Sequence, residues 1–243
     1  MKRLLSLSVC SLLILGFVTG CGDKGSSNND TSTRPEAEVS AQTSTNTNEN
    51  VEPSMFVGQE YTFGTYEQDG DQNNGAEPIE WKVLAVEDGK ALLVTKYVID
   101  WKKYNESGEK TNWSNCSLRT WLNKDFYNEA FTQEEINRIA DTTITSDGEE
   151  TVDLVFLLNK TEMETYFNND DARISEPTEE TKLSANDTQN STFENKEGCW
   201  YWACGNGTLD RAPYVSKAGK FEGKTDPVDS YSGVRPAVWI NVD

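Results

Sequence analysis

Val234-Arg235-Pro236-Ala237-Val238-Trp239-Ile240-Asn241-Val242 runs almost to the end of the chain, and its reading decides the fold. Val234, Pro236, Val238, Ile240 and Val242 alternate with Arg235, Ala237, Trp239 and Asn241, the period of a strand with one apolar face. Proline has no N–H to give a ladder, so Pro236 puts this strand at a sheet edge or marks a strand start. Before it lie an aromatic strand within Gly198-Cys-Trp-Tyr-Trp-Ala-Cys204, a strand over 212–216 and a turn at Lys217-Ala-Gly219. Toward the amino terminus, Tyr61-Thr-Phe-Gly-Thr-Tyr66 and Ile79-Glu-Trp-Lys-Val-Leu84 alternate around a long polar loop, and 91–96 follows the turn Glu87-Asp-Gly89.

The middle of the chain carries helix signals. Leu118, Trp121 and Leu122 recur at i, i+3, i+4 on a short helix starting near Cys116 or Ser117. Thr132-Gln-Glu-Glu135 is a capping box that opens a helix to about Ala140. A second box, Asn159-Lys-Thr-Glu162, follows an apolar strand at 154–158 and opens a helix sharing Met163, Tyr166 and Phe167 on one face. Residues 168–197 are polar and read as a long surface excursion. Strands, then two to three short helices, then strands, without βαβ alternation, predict an α+β domain with mixed and antiparallel strands.

The chain has 22 Lys and Arg against 41 Asp and Glu, a formal net charge of -19, so it lacks the basic footprint a nucleic-acid partner requires. It has no histidine, which removes Ser-His-Asp and Cys-His nucleophile pairs and imidazole metal ligands. Met1-Lys-Arg3 is a basic start, and the apolar run 4–18 is shorter than the ~20 residues of a membrane span. It ends in Val18-Thr-Gly-Cys21, which resembles the lipobox of bacterial lipoproteins. Residues 1–20 are then a signal peptide, and Cys21 carries the lipid that holds the protein on the extracytoplasmic side of a membrane. Residues 21–53 are Ser, Thr, Asn and Glu with few apolar side chains, the composition of a disordered tether. Residues 54–243 remain for one globular domain holding all seven Trp. Its 18 bases and 35 acids make it acidic throughout, which serves solubility.

Several residues in this domain are candidates for a site. In a strand, Trp200 and Trp202 point one way and Tyr201 the other, so paired indoles offer either a stacking platform for a sugar or protein ligand, or simply a core face. Trp200, Tyr201, Trp202 and Arg235 are the ligand-binding candidates. Once Cys10 leaves with the signal and Cys21 is acylated, Cys116, Cys199 and Cys204 remain. This odd count leaves one thiol free if two bridge. Cys199 and Cys204 face opposite sides of a regular strand, so their pairing needs a bend near Ala203; a bridge from Cys116 to either is equally compatible. Asp69-Gly-Asp-Gln-Asn-Asn-Gly75, with Glu77 and Glu80, follows an EF-hand-like count in which Asp69, Asp71, Asn73 and Glu80 are calcium-ligand candidates. Position six of that count is Asn74 rather than Gly, and a plain polar hairpin loop has the same composition. Asp226 and Asp229, before the closing strand, are further carboxylates of interest.

Five blocks in order carry a family resemblance: Phe63-Gly-Thr-Tyr-Glu-Gln68, Glu77-Pro-Ile-Glu-Trp81, Cys116-Ser-Leu-Arg-Thr-Trp-Leu-Asn123, Val155-Phe-Leu-Leu158 with Glu162, and Gly233-Val-Arg-Pro-Ala-Val-Trp239. Over residues 57–242 the chain resembles the bacterial domain-of-unknown-function family 6273. The later blocks are in turn similar to the C-type-lectin-like fold shared by formylglycine-generating enzymes and bacterial surface modules. That resemblance implies a single C-type-lectin-like domain, but fold does not imply function. Relatives tend to read Trp-Trp-Leu-Arg-Ser-Pro-Gly where this chain has Cys199-Trp-Tyr-Trp-Ala-Cys-Gly205, so a site depending on that arginine is in doubt. The resulting expectation is a lipid-anchored, non-catalytic binding module for a cell-envelope glycan or another surface protein, without a cofactor unless calcium binds. The competing classes are an enzyme on the formylglycine-generating fold, which needs an accessible cysteine pair, and a self-assembling surface component.

Overall fold

The computed structural model describes residues 54–146, 148–189, 193, 198–205, 208 and 210–242. The predicted signal peptide, the lipidation candidate Cys21 and the tether over 21–53 lie outside the described residues. The amino-terminal hairpin consists of β1 (Glu60–Tyr66) and β2 (Glu77–Glu87), antiparallel with Tyr61 opposite Trp81. Asp88 and Gly89 both have positive φ (51° and 71°), as a tight two-residue hairpin turn requires, and they lead into β3 (Lys90–Thr95). Trp81 is fully buried, with its indole Nε1 donating to Phe63 O at 2.6 Å. Phe131 packs on the Trp81 ring.

After β4 (Asp100–Lys103), the helical middle begins with α1 (Ser117–Trp121), whose N-cap is Cys116, the thiol accepting from Arg119 N at 3.4 Å. The helix runs on through a π turn at Leu122–Phe126 into α2 (Tyr127–Ala130). Both capping boxes form, at α3 (Gln133–Ile136) and α4 (Lys160–Tyr166). The helix expected to reach Ala140 stops at Ile136, because the next residues join a sheet: Ile139 bridges Ile240 and Ala140 N donates to Trp239 O at 2.8 Å. Of the apolar run 154–158, Val155 to Leu158 are buried, but the run forms only one isolated bridge, Phe156 with Ala237. It follows a hairpin that the sequence did not announce, β5 (Thr142–Ser146) with β6 (Glu149–Asp153).

The supposed surface excursion needs correction. It contains a 3₁₀ turn at Asp171–Arg173 and the helix α5 (Glu179–Gln189). Arg173, Ser175, Thr178 and Thr181 within it are buried. They are polar yet satisfied by backbone: Ser175 Oγ donates to Lys96 O at 2.9 Å and Thr181 Oγ1 to Val98 O at 3.0 Å.

The carboxy-terminal third supplies β7 (Tyr201–Trp202), β8 (Arg211–Val215), β9 (Phe221–Pro227), β10 (Tyr231–Val234) and β11 (Ala237–Asn241). The single closing strand read from 234–242 is thus two strands in two sheets. One sheet has the order β1-β2-β3-β11 and the other β4-β10-β7-β8-β9, with β5-β6 apart. The switch falls at Arg235-Pro236, where proline cannot continue a ladder. The described residues form a mixed α+β structure, mostly antiparallel, with short helices and one parallel pairing between β7 and β10.

Asp153 ties the middle layer to this frame. It is fully buried and accepts from Arg119 Nε at 2.5 Å, Trp113 Nε1 at 2.8 Å and Thr151 Oγ1 at 3.0 Å. Removing one partner of a buried ion pair strands the other charge. Arg119→Ala is therefore expected to lower unfolding free energy by about 3 kcal/mol, the low end for a buried pair because Arg119 is partly exposed. Urea denaturation checks this; a change within ~0.5 kcal/mol would mean the pair is not a structural tie.

Candidate functional site

Glycine at position 233 sets the geometry of the most chemically equipped cleft. A Cβ there would lie 2.4 Å from Val98 Cγ1 and 2.5 Å from Trp200 O, so only glycine lets β10 approach β7. The approach is secured by Gly233 N donating to Trp200 O at 3.0 Å. Gly233 lies opposite Tyr201, which places Ser232 beside Trp200 on one sheet face. Tyr214 lies opposite Trp202, the residue that alternation puts on that same face. Across the other edge of β10, Tyr231 pairs with Lys103 and Gly233 with Trp101.

The resulting cleft has a volume of about 360 Å³ and is lined by Trp101, Trp200, Tyr214 and Tyr231, with Asp226, Ser230 and Ser232 between the rings. Two of its residues carry buried polar atoms without a partner among the described residues, Trp101 Nε1 and Ser232 Oγ. Trp101 is 5% exposed and Ser232 1%. An orphaned buried polar group costs about 1–3 kcal/mol, which a bound hydroxyl or amide would recover. Burial raises the Asp226 carboxyl above its ordinary value, with nearby Arg211 opposing the shift. Lys217 Nζ lies 4.5 Å from the Trp200 ring and Lys103 Nζ 5.1 Å from the Tyr231 ring, so ammonium donors flank the aromatic walls.

A second, larger groove of about 520 Å³ is lined by Lys102, Lys103, Asn115, Thr120, Trp121 and Asp125 among others. Lys102 Nζ rests 4.5 Å from the Trp121 ring and 3.3 Å from Asp100 Oδ2.

Of the four ligand-binding candidates, only Trp200 reaches the cleft. Tyr201 is 2% exposed, donates its hydroxyl to Arg173 O at 2.7 Å and accepts from Arg235 Nη1 at 3.2 Å. Trp202 is fully buried, donates Nε1 to Lys102 O at 2.8 Å and packs edge-on against Tyr104. Arg235 is 2% exposed and holds backbone carbonyls. The paired-indole platform is thus corrected, because β7 is an inner strand with neighbours on both sides. Trp101, Tyr214, Tyr231 and Ser232 were missed; they sit on three other strands, and their only sequence signal is the polar run Asp226-Pro-Val-Asp-Ser-Tyr-Ser232 leading into Gly233.

The calcium count does not assemble either. Asp69 accepts from Asp71 N and Asn74 Nδ2, Asp71 accepts from Asn73, and Glu80 faces Lys96 at 3.3 Å. These are the turn bonds of a polar hairpin loop. The carboxylates that do converge, within 4.8 Å, are Glu67, Asp69 and Glu77. Glu67 and Glu77 are engaged by the backbone amides of Gly70 and Gln68, at 2.8 Å each. The Asp71 amide, and after it the Asn74 side chain, hold the Asp69 carboxyl below its ordinary value.

Cys116, Cys199 and Cys204 are all buried and free, so none of the proposed bridges forms. Burial pushes the Cys116 thiol up to about 12 and raises Cys199 and Cys204 as well. They do not make the accessible thiol pair that formylglycine-type chemistry needs.

A family model described as a domain of unknown function, DUF6273, matches residues 88–242. The chain belongs to the DUF6273 family. The DUF6273 match starts at the turn into β3, so it takes in the later three sequence blocks and every residue of the cleft and the groove. Neither curated proteins nor solved structures gave a match. No helix among the described residues is long and apolar enough to cross a membrane.

Thiol chemistry tests the buried cysteines directly. The native protein is expected to react with a maleimide at none of Cys116, Cys199 and Cys204 on the time scale of minutes, and at all three in denaturant. Labelling of any of them in native buffer, read by mass spectrometry, would show an open thiol site.

Proposed function

We propose that this DUF6273 protein is a lipid-anchored extracytoplasmic binding module that holds a cell-envelope glycan in the cleft between β10 and β8. The observation that carries the reading is the composition of that cleft. Aromatic faces from Trp200, Tyr214 and Tyr231 stand around two unpartnered polar groups, Trp101 Nε1 and Ser232 Oγ, and the Asp226 carboxylate. Among the described residues, no side-chain hydrogen bond or ion pair engages the Asp226 carboxylate, which feels Arg211 only at a distance. A sugar presents complementary chemistry: apolar C–H faces for the rings, and hydroxyls that both donate and accept. Binding sites of this size pair apolar walls with a few placed polar groups.

Other features support the setting. The Val18-Thr-Gly-Cys21 motif and the polar composition of 21–53 suit a tethered domain held above a membrane by acyl chains on Cys21. The last strand, β11, returns to the sheet formed by β1–β3, in keeping with the C-type-lectin-like architecture that the later sequence blocks resemble.

A screen of glycans and soluble cell-wall fragments, with calcium and again with chelator, tests the reading. Trp200→Ala is expected to weaken binding by about 2 kcal/mol, roughly thirtyfold, as for a central aromatic contact. Ser232→Ala should weaken it less. Absence of glycan binding by the folded protein, or full retention by Trp200→Ala, sinks the proposal. For the anchor, Cys21→Ser is expected to abolish fatty-acid incorporation and move the protein from the membrane to the soluble fraction. Continued membrane retention of that variant without lipid would overturn the lipoprotein reading.

A further inference from the structure

The cleft and the groove both take residues from the short strand β4. Trp101 of β4 lines the cleft, and the next two residues, Lys102 and Lys103, line the groove. Lys103 joins them, because it lines the groove while its ammonium sits 5.1 Å from the ring of Tyr231 in the cleft. That contact links a wall of the groove to a wall of the cleft.

The same recognition chemistry appears on both sides of that seam. In the cleft, the ring of Tyr231 lies beside the Lys103 ammonium, with the Asp226 carboxylate and the Ser232 hydroxyl on the walls. In the groove, the ring of Trp121 lies beside the Lys102 ammonium, with the Asp125 carboxylate on the walls together with the Thr120 hydroxyl, which donates to Cys116 O at 3.4 Å. Trp121 is held in place from behind by Tyr66 and Phe126, at ring separations of 6.5 and 5.4 Å. Lys102 is held by Asp100, which also accepts from the Tyr66 hydroxyl at 2.6 Å. The second set is thus as firmly built as the first.

A ligand that meets like chemistry twice in adjacent positions is itself a repeat. We infer that the ligand is a linear glycan chain lying across β4, with one sugar in the cleft against Trp200 and Tyr231 and a later sugar in the groove against Trp121. This rests on the glycan reading of the cleft and adds chain length as the determinant of affinity. Both sites take residues from β4, so the second contact is made at raised effective concentration once the first has formed.

The test is isothermal titration of mono-, di- and hexasaccharides of N-acetylglucosamine, and of soluble peptidoglycan glycan strands, on the full chain. Affinity is expected to rise about tenfold or more from the disaccharide to the hexasaccharide. Trp121→Ala should remove that gain and leave disaccharide binding unchanged, whereas Trp200→Ala should weaken both. Because Trp121 also packs on Phe126, Thr120→Arg, an exposed substitution that fills the groove, provides a second variant with the same expected pattern. Equal affinity for short and long oligomers, or a length gain that survives both groove variants, overturns the inference while leaving the cleft reading standing. Failure of every oligomer and strand to bind overturns both.

Discussion

The guanidinium of Arg235 joins the two main sheets to each other. It is buried where the chain passes from β10 in one sheet to β11 in the other. Its Nε donates to Thr95 O at the end of β3, and its Nη1 to Arg173 O and to the Tyr201 hydroxyl in β7. Thr95 N in turn donates to Pro236 O at 3.0 Å. Three separate parts of the chain, two sheets and the segment at 173, are thereby pinned to one side chain. Among the described residues no carboxylate pairs with this charge; Nε and Nη1 are held by carbonyl and hydroxyl dipoles while Nη2 has no partner there, and the fork lies over the rings of Phe167 and Tyr201, at 5.7 and 5.3 Å. Lysine has no such fork and would reach fewer of these acceptors.

That crossing also places the candidate site. With β11 committed to the first sheet and Arg235 fixed, β10 must run between β4 and β7, and Gly233 permits the close approach to Trp200. Ser232, Tyr231 and Trp101 then arrive around the cleft as a consequence of strand register. Lys102 and Lys103 arrive on the groove side of the same strand. The arrangement that binds the sheets together thus also positions the aromatic walls, so a rigid core supports a site assembled from residues far apart in the chain.

Local chemistry was legible wherever it acts over a few residues. The capping boxes Thr132–Glu135 and Asn159–Glu162 form as read, and so do the alternating strands around Trp81 and the tight turn at Asp88-Gly89. The described part of 168–197 was misread because most of its buried residues are Ser, Thr and Arg, whose burial depends on partners at Lys96, Val98 and Gly219 rather than on hydropathy. The indole pair Trp200 and Trp202 was correctly seen as aromatic, but alternation cannot tell a solvent face from an inner one. Only the neighbours β10 and β8 show that Trp202 is core while Trp200 reaches the cleft.

The sequence by itself determined the α+β class, the caps, the first three strands, the acidic character and membership of the DUF6273 family, because each is written in short-range pattern or in ordered blocks. Only the packing of distant segments settles that the closing segment splits between two sheets at Arg235-Pro236, that the three cysteines are unbridged and buried, and that Trp101, Tyr214 and Ser232 meet around Trp200. Those outcomes depend on register and on hydrogen bonds between segments as far apart as Thr95 and Arg235, and no local periodicity encodes such distances.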